Sequence, residues 1–309
     1  GGQAVMEGIM MRHKDKYSIA VRRPDNEIEL KVEDYKCVFG NAKFLKYPLI
    51  RGVVSFVDSL VVGTKCLMYS AEIAGDEEDE EDKQKNAALS EEELAAKKAK
   101  EDKQFKWLLY VTVAASIVVS VAAFMLLPYA LASLCRRVGA SEFAVTIVEA
   151  FVKLALFMGY MLLISRMKDI QRTFMYHGAE HKCINCIEHG LELNVENVRK
   201  SSRQHKRCGT SFLFFVMIVS IIFCFFITAQ SQIARVLIRL ALLPVIAGVS
   251  YEIIKLAGNS ENPFVNLLSR PGMWVQNMTT KEPDDDMIEV GIRAVEAVFD
   301  WKNWQKENL

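Results

Sequence analysis

The sequence carries no net charge: 38 lysines and arginines balance 38 aspartates and glutamates over 309 residues. A chain without a basic excess has no electrostatic footprint for nucleic acid, which removes that class of partner. A secretory signal is missing as well. The opening GGQAVMEGIMMRHKDK puts glycines and an early Glu7 where such a signal needs a basic stretch and then an apolar one. There is no starting methionine, and the expectation is that the first residues are cut or that the numbering begins inside the natural chain. Nor is the cysteine count even. Of the seven, Cys66, Cys135 and Cys224 lie in apolar segments, where a free cysteine acts as a small hydrophobe, so a disulfide framework is not expected.

What is present is hydrophobicity in blocks. Hydrophobic residues make up 51% of the chain and the mean hydropathy is +0.13, with charges gathered between long apolar runs. That is how an integral membrane chain reads. Four runs are long enough to span a bilayer as helix: Trp107 to Leu134, Phe143 to Ile164, Ser211 to Ala229 and Ile233 to Ala257. A fifth, from Phe44 to Glu72, carries Lys46, Arg51, Asp58 and Lys65 along its length and reads as an interfacial or re-entrant amphipathic helix. Tyr17 to Tyr35 alternates apolar and polar residues on both sides of Pro24-Asp25-Asn26, the pattern of a β-hairpin. The fold class expected is mainly α: a polytopic helical membrane protein with about four transmembrane helices, an interfacial helix and a small cytoplasmic α+β portion.

The chain divides accordingly. Residues 1–40 form a Gly-rich start and the hairpin, 41–74 the amphipathic helix, and 75–104 a charged linker whose acidic half is expected to be disordered. Within that linker Ser90 and Glu93 resemble a capping box opening a solvated helix. Residues 105–164 hold the first two spans, 165–210 a His/Cys loop, 211–257 the last two spans and 258–309 a C-terminal segment. In that last segment a Pro271-Gly272 turn and a short extended piece precede an amphipathic helix capped by Asp284 to Asp286, with Ile288, Ile292, Val295 and Phe299 on one face. Asn277-Met278-Thr279 matches a glycosylation triplet, which has no meaning in a cytoplasmic segment.

Charge sets the orientation. Four spans put both ends on one side, and the loop 165–210 has nine lysines and arginines against only Arg136 and Arg137 between the first two spans. Both termini and the His/Cys loop are therefore expected in the cytoplasm of a multi-pass cell-membrane protein. Arg235 and Arg239, near the start of the fourth span, lie outside or snorkel.

The chemistry concentrates in that loop. Four of the five histidines, His177, His181, His189 and His205, fall there with Cys183, Cys186 and Cys208. His177-Gly-Ala-Glu180-His181 is an H-x-x-E-H pattern, and residues four apart on a helix share a face, so both imidazoles reach one ion. This is the arrangement of the inverted zincins, with Glu180 as the base that takes a proton from water. The third ligand is His205 or Cys208 of QHKRCGTSF, or Glu252 of SYEIIK. Zinc suits such a set best, with iron and manganese as alternatives. Were His177, His181, His205 and Cys208 all to bind, the site would be closed and structural. Cys183-Ile-Asn-Cys186 offers another closed arrangement, completed by His181 or Cys208. Elsewhere Glu149 and Lys153, four apart, read as a structural pair, while Glu252 and Glu7 are further site candidates.

Together GGQAVMEGIMMR, YHGAEHK, ENVRKSSRQHKRCGTSF, PGMWVQNMTTKEPDD and IEVGIRAVEAV resemble the YqhQ-like family of bacterial membrane proteins, over nearly the whole chain except the acidic insert. The resemblance implies a domain of unknown function often labelled a metal-dependent enzyme, on the strength of the same His, Glu and Cys residues. Where the family's pattern carries proline this chain has Lys206.

Two readings of different class follow. One is a membrane-bound zinc hydrolase facing the cytoplasm, whose substrate is a membrane peptide or a lipid-linked molecule. The other is a scaffold or transporter stapled by a structural metal. The lipid bilayer is a partner in both, and neither excludes an oligomer. A hydrolase keeps a coordination position open beside Glu180; a scaffold fills all four with protein atoms.

Overall fold

The computed structural model describes residues 1–40, 42–75, 91–227, 231–260 and 262–309. The Gly-rich start is not a loose lead-in but two strands, β1 (Gly2–Val5) and β2 (Gly8–His13), paired antiparallel with Gly2 opposite Met11. β3 (Lys16–Arg22) and β4 (Ile28–Asp34) follow as the hairpin around Pro24-Asp25-Asn26, giving a four-stranded meander in chain order. In the β3–β4 turn Asn26 takes a φ of 68°, a left-handed conformation that Asn tolerates.

Both faces of β2 and β3 are covered, and β2 reads as a continuous apolar run. Ile9, Met11 and Ala20 pack into one core, while Val5, Met10, Tyr17, Ile19 and Val21 pack into another with Cys66. The second core is closed by helix α1 (Ile50–Ala74) through Val62, Tyr69 and Ile73. The first is closed by α5 (Lys168–Glu188) and α10 (Asp285–Glu296), with Tyr176, Ala179, Cys183, Met287, Ile288 and Ala294 buried between them. Asp284 starts α10 by accepting the Met287 amide at 2.9 Å.

The remaining helices are α2 (Glu91–Val121), α3 (Leu127–Ser133), α4 (Glu142–Ile164), α6 (Val195–Lys200), α7 (Gly209–Phe225), α8 (Gln232–Asn259), α9 (Pro263–Thr279) and α11 (Trp301–Asn308). Among the described residues four helical stretches are long and apolar enough to cross a membrane: Ile50–Ala74, Tyr110–Val138, Glu142–Ile164 and Ile233–Asn259. The protein is a mainly α, polytopic membrane protein with a small antiparallel sheet.

That set differs from the expected one at two places. The run expected to span from Ser211 to Ala229 forms an apolar helix of 17 residues, about 26 Å at 1.5 Å per residue, at the short limit for a hydrocarbon core of about 30 Å. The segment read as interfacial has the length and composition of a span in α1. Two of its charges are satisfied from the sheet side: Asp58 accepts from Tyr35 Oη and from the Val38 amide at 2.9 Å, and Lys65 pairs with Glu33. From Asp58 onward, then, α1 lies on the sheet, while its start is held to α8 by the Arg51–Glu252 ion pair.

The expected Pro271-Gly272 turn does not form; both residues sit inside α9. A Cβ at Gly272 would stand 3.1 Å from Ser211 Oγ, so the glycine serves the close approach of α9 to α7.

The chain divides into two compact units, Gly1–Ala74 with Met158–Leu309, and Gly75–Phe157. The second contains α2, a π-turn over Ala122–Leu126 that admits Pro128 at the start of α3, and most of α4. Its Glu149 and Lys153, both buried, lie 3.8 Å apart one turn along α4. Ser90 and the acidic run at 76–82 lie outside the described residues, and α2 is described from Glu91.

Candidate metal centre

Helix α5 does two jobs with two faces. Tyr176, Ala179, Cys183, Cys186 and Ile187 anchor it in the core, and this fixes the direction of His177, Glu180 and His181. Against it runs the segment after α9, so close that a Cβ at position 178 would lie 2.0 Å from the Lys281 carbonyl oxygen. Only glycine fits there. The approach brings the Thr279 carbonyl to His177 Nδ1 at 2.9 Å.

His181 is oriented the same way, with its Nδ1 2.7 Å from the Arg203 carbonyl. A carbonyl oxygen accepts and never donates, so each ring carries a proton on Nδ1, which leaves Nε2 as its ligand atom. The ring centroids are 4.4 Å apart. Cys208 joins them from the start of α7, its Sγ 3.3 Å from His177 Nε2. The donor atoms of His177, His181 and Cys208 all lie within 4.8 Å of one another. Cys208 is also the N-cap of α7, with its sulfur 3.4 Å from the Thr210 amide and 3.1 Å from Thr210 Oγ1. A helix N-terminus favours the negative charge a thiolate ligand brings.

Glu180 is buried beside these three. Its Oε2 lies 3.7 Å from His181 Nε2 and 4.0 Å from His177 Nε2, while Oε1 accepts the Gly2 amide at 3.1 Å. β1 thus pins one carboxylate oxygen and leaves the other facing the donors.

The residues that hold the 201–208 loop in place have no signature in the sequence. Lys182, buried on α5, donates to the Arg199 and Ser201 carbonyls, and Asn185 to those of Ser202 and Gln204, at 2.7 to 2.9 Å. Gln276 of α9, fully buried, clamps residue 205 by accepting its amide and donating to its carbonyl. A buried polar side chain with every group paired is a rigid support. Such residues are visible only once the loop path is known.

The other residues singled out from the sequence go elsewhere. His205 stands outside the three-residue group: its Nε2 is 3.2 Å from Glu188 Oε2, and this bond lowers the Glu188 pKa. Glu252 is engaged by Arg51 and the Leu49 amide. Glu7, in the β1–β2 turn at a φ of 48°, binds Arg172 and lies 3.2 Å from Tyr176 Oη. It ties the sheet to α5. His189 turns to the Asn185 carbonyl at 2.7 Å. Cys183 and Cys186 belong to the core, where burial pushes both thiols up, and Cys186 faces the Glu192 carbonyl. Neither joins the donor cluster.

A cavity of about 320 Å³ opens on the donors and on Glu180. Its wall includes Val295, Val298, Phe299 and Trp304, and its rim includes Arg12 and Arg207.

Fold and site together define a helical membrane protein with a sheet-supported His/His/Cys cluster beside a buried glutamate. The chain belongs to the family described as Protein of unknown function (DUF1385), which matches residues 47–301 and so includes His177, Glu180, His181 and Cys208. It is 36% identical over 314 residues to the "Uncharacterized protein YqhQ" of Bacillus subtilis (strain 168), covering 100% of this chain and 94% of that relative. No solved structure matches.

Proposed function

We propose that this protein is a membrane-bound, metal-dependent hydrolase, with His177, His181 and Cys208 holding zinc and Glu180 serving as general base. The observation that carries the reading is the convergence of three donors on a cavity with a carboxylate at its edge. The donor set suits zinc. Tetrahedral zinc spaces nitrogen and sulfur ligand atoms by about 3.3 to 3.6 Å, close to the 3.3 Å between His177 Nε2 and Cys208 Sγ. Zinc held this way supplies the Lewis acidity that lets water lose a proton near neutral pH.

The chain's own part is positional. The carbonyls of Thr279 and Arg203 fix both imidazole tautomers, and the Gly2 amide fixes Oε1 of Glu180 so that Oε2 is the atom that receives the proton. The cavity admits a substrate beside that oxygen. The charge asymmetry of the loops supports a cell-membrane orientation with both termini and this site in the cytoplasm. The start of α7 directly after Cys208 supports a membrane-embedded or lipid-linked substrate.

A second reading has its own observation. Glu180 Oε2 is near enough to both imidazoles to be a fourth ligand, which would close the site as a structural staple of a scaffold or transporter. Elemental analysis and X-ray absorption spectroscopy of purified wild-type and Glu180→Gln protein separate the two. A hydrolase gives one zinc per chain in both proteins. Loss of zinc from Glu180→Gln makes Glu180 a ligand or its support and removes the base.

A further inference from the structure

Helix α9 has the reverse of the polarity that a helix on a water-facing surface shows. Toward the protein it buries Ser269, Gln276 and Thr279, along with Gly272 and Val275. Outward it turns Phe264, Leu267, Leu268, Pro271 and Trp274, whose steps of three, one, three and three residues make one stripe along the helix. Phe264, Leu267, Leu268 and Trp274 are each more than half exposed. Arg270 and Asn277, exposed as well, flank the stripe on one side. A helix with water on its outer side turns its apolar residues inward, so this stripe calls for an apolar cover.

The inner contacts fix the level at which α9 lies. Gln276 donates to Ser211 Oγ at 2.7 Å, Thr279 Oγ1 is 3.2 Å from Thr210 Oγ1, and Gly272 packs on Ser211 and Phe215. Thr210, Ser211 and Phe215 all belong to the first two turns of α7, where that apolar helix leaves the polar loop before it. α9 also begins at Pro263, four positions beyond the end of α8 at Asn259. The stretch Ile233–Asn259 of α8 is long and apolar enough to cross a membrane. The stripe therefore starts where a spanning helix ends, and continues the lipid-facing surface sideways at that level.

We infer that α9 is an interfacial anchor, with Phe264, Leu267, Leu268, Pro271 and Trp274 immersed in the lipid surface where headgroups meet acyl chains. An interfacial helix sinks its apolar face about 5 to 10 Å into that boundary, where tryptophan is enriched and a flanking arginine reaches back to the headgroups. The segment from residue 258 onward, expected in the cytoplasm, thus keeps its first helix in the membrane surface. The last turns of the same helix hold the metal centre: Gln276 clamps residue 205, and the Thr279 carbonyl meets His177 Nδ1. The lipid surface accordingly supports the donor cluster through α9. The inference rests on the membrane class of the protein and on neither reading of its metal centre.

The test uses the full chain in phosphatidylcholine nanodiscs, which leave both membrane sides open to reagents. Spin labels are placed by Phe264→Cys, Leu268→Cys and Trp274→Cys, with Lys200→Cys as the water-exposed reference, in a background without Cys37 and Cys135. The remaining five cysteines are buried, and the use of three exposed positions keeps the result independent of any one substitution. Collision with oxygen, which concentrates in lipid, and with a water-soluble nickel chelate is read by electron paramagnetic resonance. The oxygen-to-nickel ratio at all three positions should exceed that at Lys200→Cys several-fold. A ratio equal to the reference would place the stripe in water and overturn the proposal. Poor access to both reagents would mean that protein covers the stripe, with spin–spin broadening marking a second copy, and overturns it too. The readout needs neither metal nor substrate, so a chain that purifies without zinc would sink the hydrolase reading and leave this one standing.

Discussion

Gly178 and Lys281 are in contact through their backbones: a methyl group added to the glycine would stand 2.0 Å from the lysine carbonyl oxygen. Two residues earlier in the same segment, the Thr279 carbonyl fixes the tautomer of His177. The glycine inside the H-x-x-E-H pattern therefore controls how the histidine before it presents its Nε2.

Gly178→Ala should push the 279–281 segment off α5. Overpacking of this kind costs about 1 to 3 kcal/mol, and loss of a ligand's outer hydrogen bond typically weakens metal binding by about 10- to 100-fold. Thermal melting in detergent reads the first effect and competitive zinc titration the second. Wild-type zinc affinity in a destabilised Gly178→Ala protein would mean that the Thr279 contact does not orient the ligand.

For the proposed zinc site, the start of α7 favours Cys208 over His205 as the third ligand. Cys208 lies within reach of both imidazole nitrogens, whereas His205, three residues earlier, pairs with Glu188 on the cavity wall. Cys208→Ser should therefore lose most of its zinc, as should His177→Ala and His181→Ala, while His205→Ala should keep it. Metal analysis on matched preparations checks this. Retention by Cys208→Ser together with loss by His205→Ala would reverse the assignment.

How much of this was legible depends on whether spacing alone fixes direction. On a helix it does: positions 177, 180 and 181 share a face whatever surrounds them, so the pattern brings two histidines and a carboxylate together. Off a helix it does not. Cys208 and His205 are equally near in sequence, and only the clamp of Gln276 on residue 205 turns one toward the site and the other toward Glu188. The mainly α membrane class was written in the long apolar runs. The first hairpin was not, because β2 is buried on both faces and lacks the alternation that marked β3 and β4. Pro271-Gly272 misled for a related reason: proline and glycine mark turns in isolation, yet here the glycine makes room for α7.

The tie between β4 and α1 has a pH signature. Hydrogen bonds from Lys65, Tyr17 and Lys31 hold the Glu33 pKa at about 2, below its ordinary 4.5. A carboxylate depressed by folding contributes stability that is complete above its unfolded value and is lost as pH falls through its folded one. Detergent-solubilised protein should therefore lose melting temperature progressively below about pH 4.5. Glu33→Gln should start lower at neutral pH and show a shallower loss over that window. Parallel curves for the two proteins would mean the cluster contributes nothing.

The last prediction concerns orientation in the membrane. It rests on nine lysines and arginines in residues 165–210 against Arg136 and Arg137 between the first two expected spans, which predicts a cytoplasmic side for the former loop. Impermeant labelling of intact cells is the direct test, and the structure dictates the reporters. Cys183, Cys186 and Cys208 are all buried, so their silence would say nothing about side. Lys200 and Val138 are exposed, one on α6 in the histidine loop and one just before the left-handed Gly139. In a background without Cys37 and Cys135, which are half-buried, Val138→Cys should react with an impermeant maleimide in intact cells. Lys200→Cys should react only after the cells are opened. Labelling of Lys200→Cys in intact cells would place the His/His/Cys cluster on the outer side, and with it any substrate the site acts on.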